Sequence, residues 1–151
     1  MSEYAVDVLA WSEHQSALLR RRAAGELVNE TDLDWLNIAE EIESLGRSER
    51  SALASHIRTI IEHLAKLQAS PAGDPRAGWE DTVLRARIDI EELLAASPSL
   101  RHRLGDVIGE EHGRALRLAA SALRVYGEAP RVPLDTIRFT PEQVLGSWLP
   151  E

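Results

Sequence analysis

The sequence contains no cysteine, and this absence excludes disulfide bonds, thiolate nucleophiles and cysteine-ligated zinc or iron–sulfur sites. Aromatic residues make up only 5% of the chain, so Leu, Ile, Val and Ala must fill most of the core. No apolar run approaches the roughly 20 residues that a transmembrane helix needs, and no secretory signal opens the sequence. We therefore expect a cytoplasmic protein that does not enter a membrane.

Sequence motifs of several functional classes are also missing. There is no Gly-x-Ser-x-Gly elbow, no glycine-rich phosphate loop, no Rossmann fingerprint and no His-x-x-x-His or Glu-x-x-His spacing of helical metal sites. The net charge of −8 disfavours nucleic acid as a partner. The consecutive arginines 20–22 either contact phosphate groups or simply stabilise the carboxyl end of a helix. The sequence predicts no catalytic residue, no metal ligand and no cofactor.

Apolar residues recur at helical spacing along almost the whole chain, without strand-like alternation. The length of 151 residues suits one helical domain over residues 1–151. We predict an all-α fold, a bundle of four main helices over about residues 3–126. A proline-rich tail over 127–151 follows, and we expect it to dock on the bundle and to carry a short helix.

The first two helices have recognisable boundaries. The first spans about residues 3–24 and ends at Gly25, a residue that commonly terminates helices. Thr31 to Asp34 predicts a capping-box start for the second helix. Whether residues 32–69 form one helix, or a helix bent or broken near Gly46, stays open because one glycine costs a helix only about 1 kcal/mol.

Proline marks the later helix starts. Asp74-Pro75 and Ser97-Pro98 each combine a capping residue with proline in the first helical position, and they predict the third and fourth helices. In the tail, Thr140-Pro141-Glu142-Gln143 predicts a brief capped helical turn.

Two segments carry a family resemblance, Glu40 to Glu49 (Glu-Glu-Ile-Glu-Ser-Leu-Gly-Arg-Ser-Glu) and His63 to Gln68 (His-Leu-Ala-Lys-Leu-Gln). Further landmarks follow in the same order as in the family: Trp11, Asp32-Leu33, Trp79, Ser97 to Leu100 and Leu149-Pro150. With them the chain resembles, over nearly its whole length, the bacterial family known as domain of unknown function 29. The resemblance implies a small helical bundle and no established activity. Ala65, Leu67 and His112 depart from the family pattern, which we interpret as repacking.

Three side chains are candidates for a polar site between helices: Glu41, His63 and Glu111. Glu41 belongs to an acidic run with Glu40 and Glu43, which either binds a metal or a basic partner or is a solvated helix face. His63 is either a metal ligand or, as we favour, an edge residue bonded to a neighbouring helix.

Glu111 is the more unusual candidate, because it falls within the apolar stripe of the fourth helix. An ionised carboxylate there is costly unless it is paired, and such groups often mark functional sites. We expect His63, Lys66 or Arg87 to be its partner from an adjacent helix. A purely structural polar contact is the alternative.

Three apolar side chains lie off the main stripes and predict an interface: Leu36, Leu84 and Ile88. They favour a non-enzymatic binding or assembly module that forms a homo-oligomer or binds a protein partner. A small enzyme or metal-dependent protein, using Glu41, His63 and Glu111, is the alternative. A regulatory protein whose acidic face engages a basic partner is a third hypothesis.

Overall fold

The computed structural model describes all 151 residues as an all-α protein with no strand. Four of its six α-helices are long, which confirms the predicted fold class. The α-helices are α1 (Glu3–Val6), α2 (Val8–Ala23), α3 (Trp35–Ala69), α4 (Arg76–Ala96), α5 (Leu104–Val125) and α6 (Pro141–Leu145). Short 3-10 helices cover Glu30–Asp32, Pro98–Arg103 and Leu134–Thr136. None of the helices is long and apolar enough to cross a membrane.

The chain forms two compact units, residues 1–48 and residues 49–151, and α3 contributes to both. A single domain over the whole chain stays a prediction. We describe the two units separately.

In the first unit, the predicted helix over residues 3–24 is interrupted at Asp7. The backbone of Asp7 is extended, with φ −150° and ψ 92°, and its side chain accepts a hydrogen bond from the Ala10 amide. Asp7 therefore ends α1 and caps α2, because an aspartate can satisfy the free amides of a new helix. Gly25 ends α2 as predicted, in the left-handed region with φ +84°.

The start of α3 differs from the prediction. Thr31 lies in a 3-10 turn, where its hydroxyl donates to the side chain of Asn29 at 2.9 Å. Asp34 takes the capping role instead and accepts bonds from the Asn37 amide at 3.4 Å and the Asn37 side chain at 2.7 Å. The hydrogen bond from the Asn37 side chain is the main reason why the pKa of Asp34 is lowered. From Trp35, α3 continues without interruption through Gly46 to Ala69.

The second unit is built around an aliphatic core. The second half of α3 supplies six of its fully buried side chains, Leu53, Ile57, Ile60, Ile61, Leu64 and Leu67. Both proline-marked starts are shifted: α4 begins at Arg76 with Pro75 in the capping position, and a 3-10 helix over Pro98–Arg103 precedes α5.

The tail packs within the second unit. The predicted capped helical turn is confirmed at the start of α6, where Thr140 and Gln143 exchange side-chain and backbone hydrogen bonds and form a capping box. Val144 and Ile137 are buried. The guanidinium group of Arg87 on α4 donates to the carbonyl oxygens of Val144 at 3.0 Å, Gln143 at 2.7 Å and Trp148 at 2.8 Å.

Candidate functional site

Glu111 is buried, with its side chain 4% exposed. Its partners are not those we predicted: Arg58 on α3 donates to Oε2 at 3.0 Å, and Arg114 on α5 donates to Oε1 at 2.7 Å. Each carboxylate oxygen thus receives a charged donor, which offsets the cost of burying an ionised group. Glu111 anchors two arginines and has no free oxygen directed at a ligand.

His63 is half-buried and bonds to its own helix rather than to a neighbouring one. Its Nδ1 donates to the Thr59 carbonyl at 2.8 Å. Burial lowers the pKa of His63 and so favours the neutral ring. One turn further along α3, Lys66 pairs with Glu62 at 2.9 Å. Lys66 also lies 5.9 Å from the centre of the Trp79 ring.

Glu41 lies in the first unit and accepts a hydrogen bond of 2.5 Å from the hydroxyl of Tyr4. That bond is the main reason why the pKa of Tyr4 is raised. The ring of Tyr4 meets Trp11 edge to face at 4.8 Å, so Glu41 helps to hold α1 in position.

The three polar candidates have separate partners and do not share a centre. Glu41 bonds to Tyr4, His63 bonds to a backbone carbonyl, and Glu111 bonds to two arginines. No group of three or more His, Asp or Glu side chains is placed so that it could hold a metal ion.

The rest of the acidic run is paired locally. Arg47 bonds to Glu40 at 2.6 Å and lies 3.7 Å from Glu43, and these side chains are half-exposed or more. Pairs of this kind on a solvated helix face need no ligand.

A stripe of four apolar side chains on the first part of α3 is exposed to solvent except at Ile38, which is partly buried. The α3 stripe consists of Trp35, Ile38, Ile42 and Leu45, at spacings of three, four and three residues. Ile42 is 64% exposed and Leu45 is 69% exposed. This spacing is the one by which helices pack side by side in coiled coils. We did not predict it as an interface, although the periodicity itself was visible in the sequence.

The predicted interface residue Leu36 is also exposed, at 86%, but it lies on another side of α3. It is nine residues from Leu45, which places the two about 180° apart around the helix. Leu36 is therefore not part of the α3 stripe.

Leu84 and Ile88, the other predicted interface residues, are exposed and line a groove on the second unit. This α4 groove has a volume of about 650 Å³ and runs between α4 and the C-terminal segment, where Leu145 and Leu149 line it. Glu80 also lines it.

Sequence reasoning missed Arg58 and gave Arg87 the wrong partner, since Arg87 bonds to the C-terminal segment and not to Glu111. Arg87 did carry a signal, because it falls in the middle of the apolar stripe of α4, as Glu111 does on α5. Arg58 carried no such signal in the sequence, since only the packing of α3 beside α5 shows that it reaches Glu111.

Comparison with known proteins places the chain in a family. No curated protein and no solved structure matches it significantly. The sequence model of one family, described as domain of unknown function DUF29, matches residues 3–149 of the 151 residues. The chain therefore belongs to the DUF29 family, in agreement with the landmark residues of its sequence.

Proposed function

We propose that this protein is a non-enzymatic assembly module that pairs with a second copy of itself through the α3 stripe. The observation that carries the proposal is the exposure of Ile42 and Leu45 in a stripe with the three-four-three spacing of helix pairing. Burying such side chains is worth roughly 1.5–3 kcal/mol each, so a partner helix gains substantially by covering them.

The surroundings of the stripe suit a helix as the partner. Ala39 and Gly46 follow Ile38 and Leu45 directly, where a coiled coil often has charged residues. Small residues in these positions let a second helix approach closely, because the distance between helix axes depends on the side chains at the contact. The charged pair Glu40 and Arg47 lies on the opposite face, away from the stripe.

A second copy is the occupant that this pattern favours, because a twofold interface brings the same stripe from each chain together. The first unit also buries few large side chains of its own, namely Trp11, Leu18 and Leu33. A unit with so small a core gains more from association than one with a complete core.

Sedimentation velocity over ~1–100 µM tests the proposal, since association depends on protomer concentration. We expect a dimer that Leu45→Glu converts to a monomer with unchanged helical circular dichroism. Leu36→Glu on the other side of α3 is the matched control and should leave the dimer intact. A monomer at ~100 µM would refute self-association.

The same measurement shows whether the α3 stripe or the α4 groove is the dimer interface. If Leu84→Glu dissociates the dimer and Leu45→Glu does not, the stripe is not the interface. If Leu36→Glu dissociates it while Leu45→Glu does not, our choice of helix face is wrong.

A further inference from the structure

A second surface of the molecule concentrates positive charge. A cavity of about 460 Å³ in the second unit is lined by Arg58 of α3 and by Arg114, Arg117, Leu118 and Ser121 of α5. No acidic side chain lines it, although the chain as a whole carries a net charge of −8. We call Arg58, Arg114 and Arg117 the arginine cluster.

Two members of the arginine cluster are held in place by a buried carboxylate group. Arg58 and Arg114 each use one Nη1 to bond the carboxylate of Glu111, at 3.0 and 2.7 Å. A guanidinium group has five N–H donors, and neither arginine makes a further hydrogen bond, so most of their donors stay available. Because the buried carboxylate already restrains these two side chains, they lose less conformational entropy when a ligand binds.

The third arginine is free of protein partners. Arg117 makes no hydrogen bond or ion pair in the structure, whereas Arg114 next to it on the same helix face is bonded. Ser121 follows one turn later and adds a hydroxyl group at the edge of the cavity. After one charge is balanced by Glu111, the arginine cluster keeps an excess of two positive charges.

From this arrangement we infer that the cavity binds the phosphate group of a small phosphorylated molecule. Two excess charges match a phosphate monoester dianion, and guanidinium forks match its oxygen geometry. The volume exceeds what a phosphate group alone fills, and the half-exposed Leu118 offers an apolar contact to the rest of the molecule. The overall negative charge opposes long polyanions such as nucleic acid but has little effect on a small ligand in a local field.

Calorimetric titration with inorganic phosphate and with AMP, at constant ionic strength, tests the inference. We expect saturable binding of both. Arg117→Gln should weaken it about tenfold, because one charge-assisted contact is lost. Arg124→Gln is the matched control, since Arg124 is an exposed arginine of the same helix that does not line the cavity. No binding of either probe up to ~10 mM would overturn the inference. Equal weakening by both variants would also overturn it, because it would indicate charge attraction without a site.

Glu111→Gln tests whether Glu111 positions the arginines. This variant raises the net positive charge of the cavity, so attraction by charge alone predicts tighter binding. Positioning predicts weaker binding in protein that retains its circular dichroism spectrum, because Arg58 and Arg114 lose their common anchor. Tighter binding would contradict the positioning role of Glu111. If Glu111→Gln fails to fold, the Arg117→Gln titration still tests whether the cavity binds phosphate.

Discussion

Replacing Arg87 by Met should release the C-terminal segment from α4. The guanidinium group of Arg87 is largely buried and donates to three backbone carbonyl oxygens, those of Gln143, Val144 and Trp148. Met fills a similar volume but donates nothing, so all three carbonyl groups lose a partner. The segment has only a short helix of its own, Pro141–Leu145, and these bonds hold it together with the burial of Ile137 and Val144.

The expected loss of stability follows from two opposing contributions to the free energy of unfolding. Three hydrogen bonds from a charged donor contribute about 1.5–3 kcal/mol each. Taking the guanidinium group out of water costs several kcal/mol, and the same burial lowers the pKa of Arg87. We therefore expect a net loss of about 2–4 kcal/mol in the free energy of unfolding, equivalent to a decrease in Tm of roughly 4–16 °C.

Thermal unfolding measures the loss of stability, and limited proteolysis measures the release of the C-terminal segment. Arg87→Met should lower Tm and expose the segment to cleavage near residues 138–148, whereas Arg85→Met should change neither. Arg85 is a sound control because it lies two residues away on α4 and is exposed, with an ion pair to Asp81 at 2.7 Å. Arg87→Lys should behave more like Met than like Arg, since an ammonium group cannot reach three carbonyls as a planar fork does. A Tm of Arg87→Met within 2 °C or so of wild type would refute the reasoning.

Two further predictions concern the second unit. Arg58→Ala should cost about 1.5–3 kcal/mol in urea unfolding, and Arg114→Ala should cost less than about 1 kcal/mol. Either substitution leaves the buried carboxylate of Glu111 with one partner, but Arg114 is 63% exposed and Arg58 is 35% exposed, so water replaces the Arg114 contact more readily. Equal losses would contradict this difference. Since burial lowers the pKa of His63, the unfolded chain takes up a proton near pH 6.5 that the native protein resists, and stability should fall as the pH drops below that value. His63→Gln should reduce the slope of unfolding free energy against pH in that range, and an unchanged slope would contradict this.

Much of the fold was predictable from local chemistry. Gly25 ended a helix and Thr140 with Gln143 formed a capping box, because these signals act through the backbone within a few residues. The predicted start of α3 was wrong by a few residues for a related reason. Thr31 and Asp34 are both capping residues, and the one that bonds Trp11 and Asn37 became the cap.

The candidate site was less predictable. Burial of Glu111 followed from its place in an apolar stripe, yet its partners depend on which arginines of α3 lie opposite α5. The α3 stripe shows the converse difficulty. Its spacing indicates an apolar face, but whether that face is covered depends on the orientation of the helix. In the first unit, the side of α3 turned inward carries Glu41, which bonds to Tyr4.

The sequence by itself determined the helical class, the end of α2 at Gly25, the capped start of α6 and the absence of thiol chemistry. Helix propensity and capping depend only on neighbouring residues, and thiol chemistry depends only on composition. The tertiary structure alone decided that Glu41, His63 and Glu111 have separate partners, that most of the α3 stripe is uncovered and that three arginines line one cavity. These properties depend on side chains that are far apart in the chain, and their distances are set only when the helices pack.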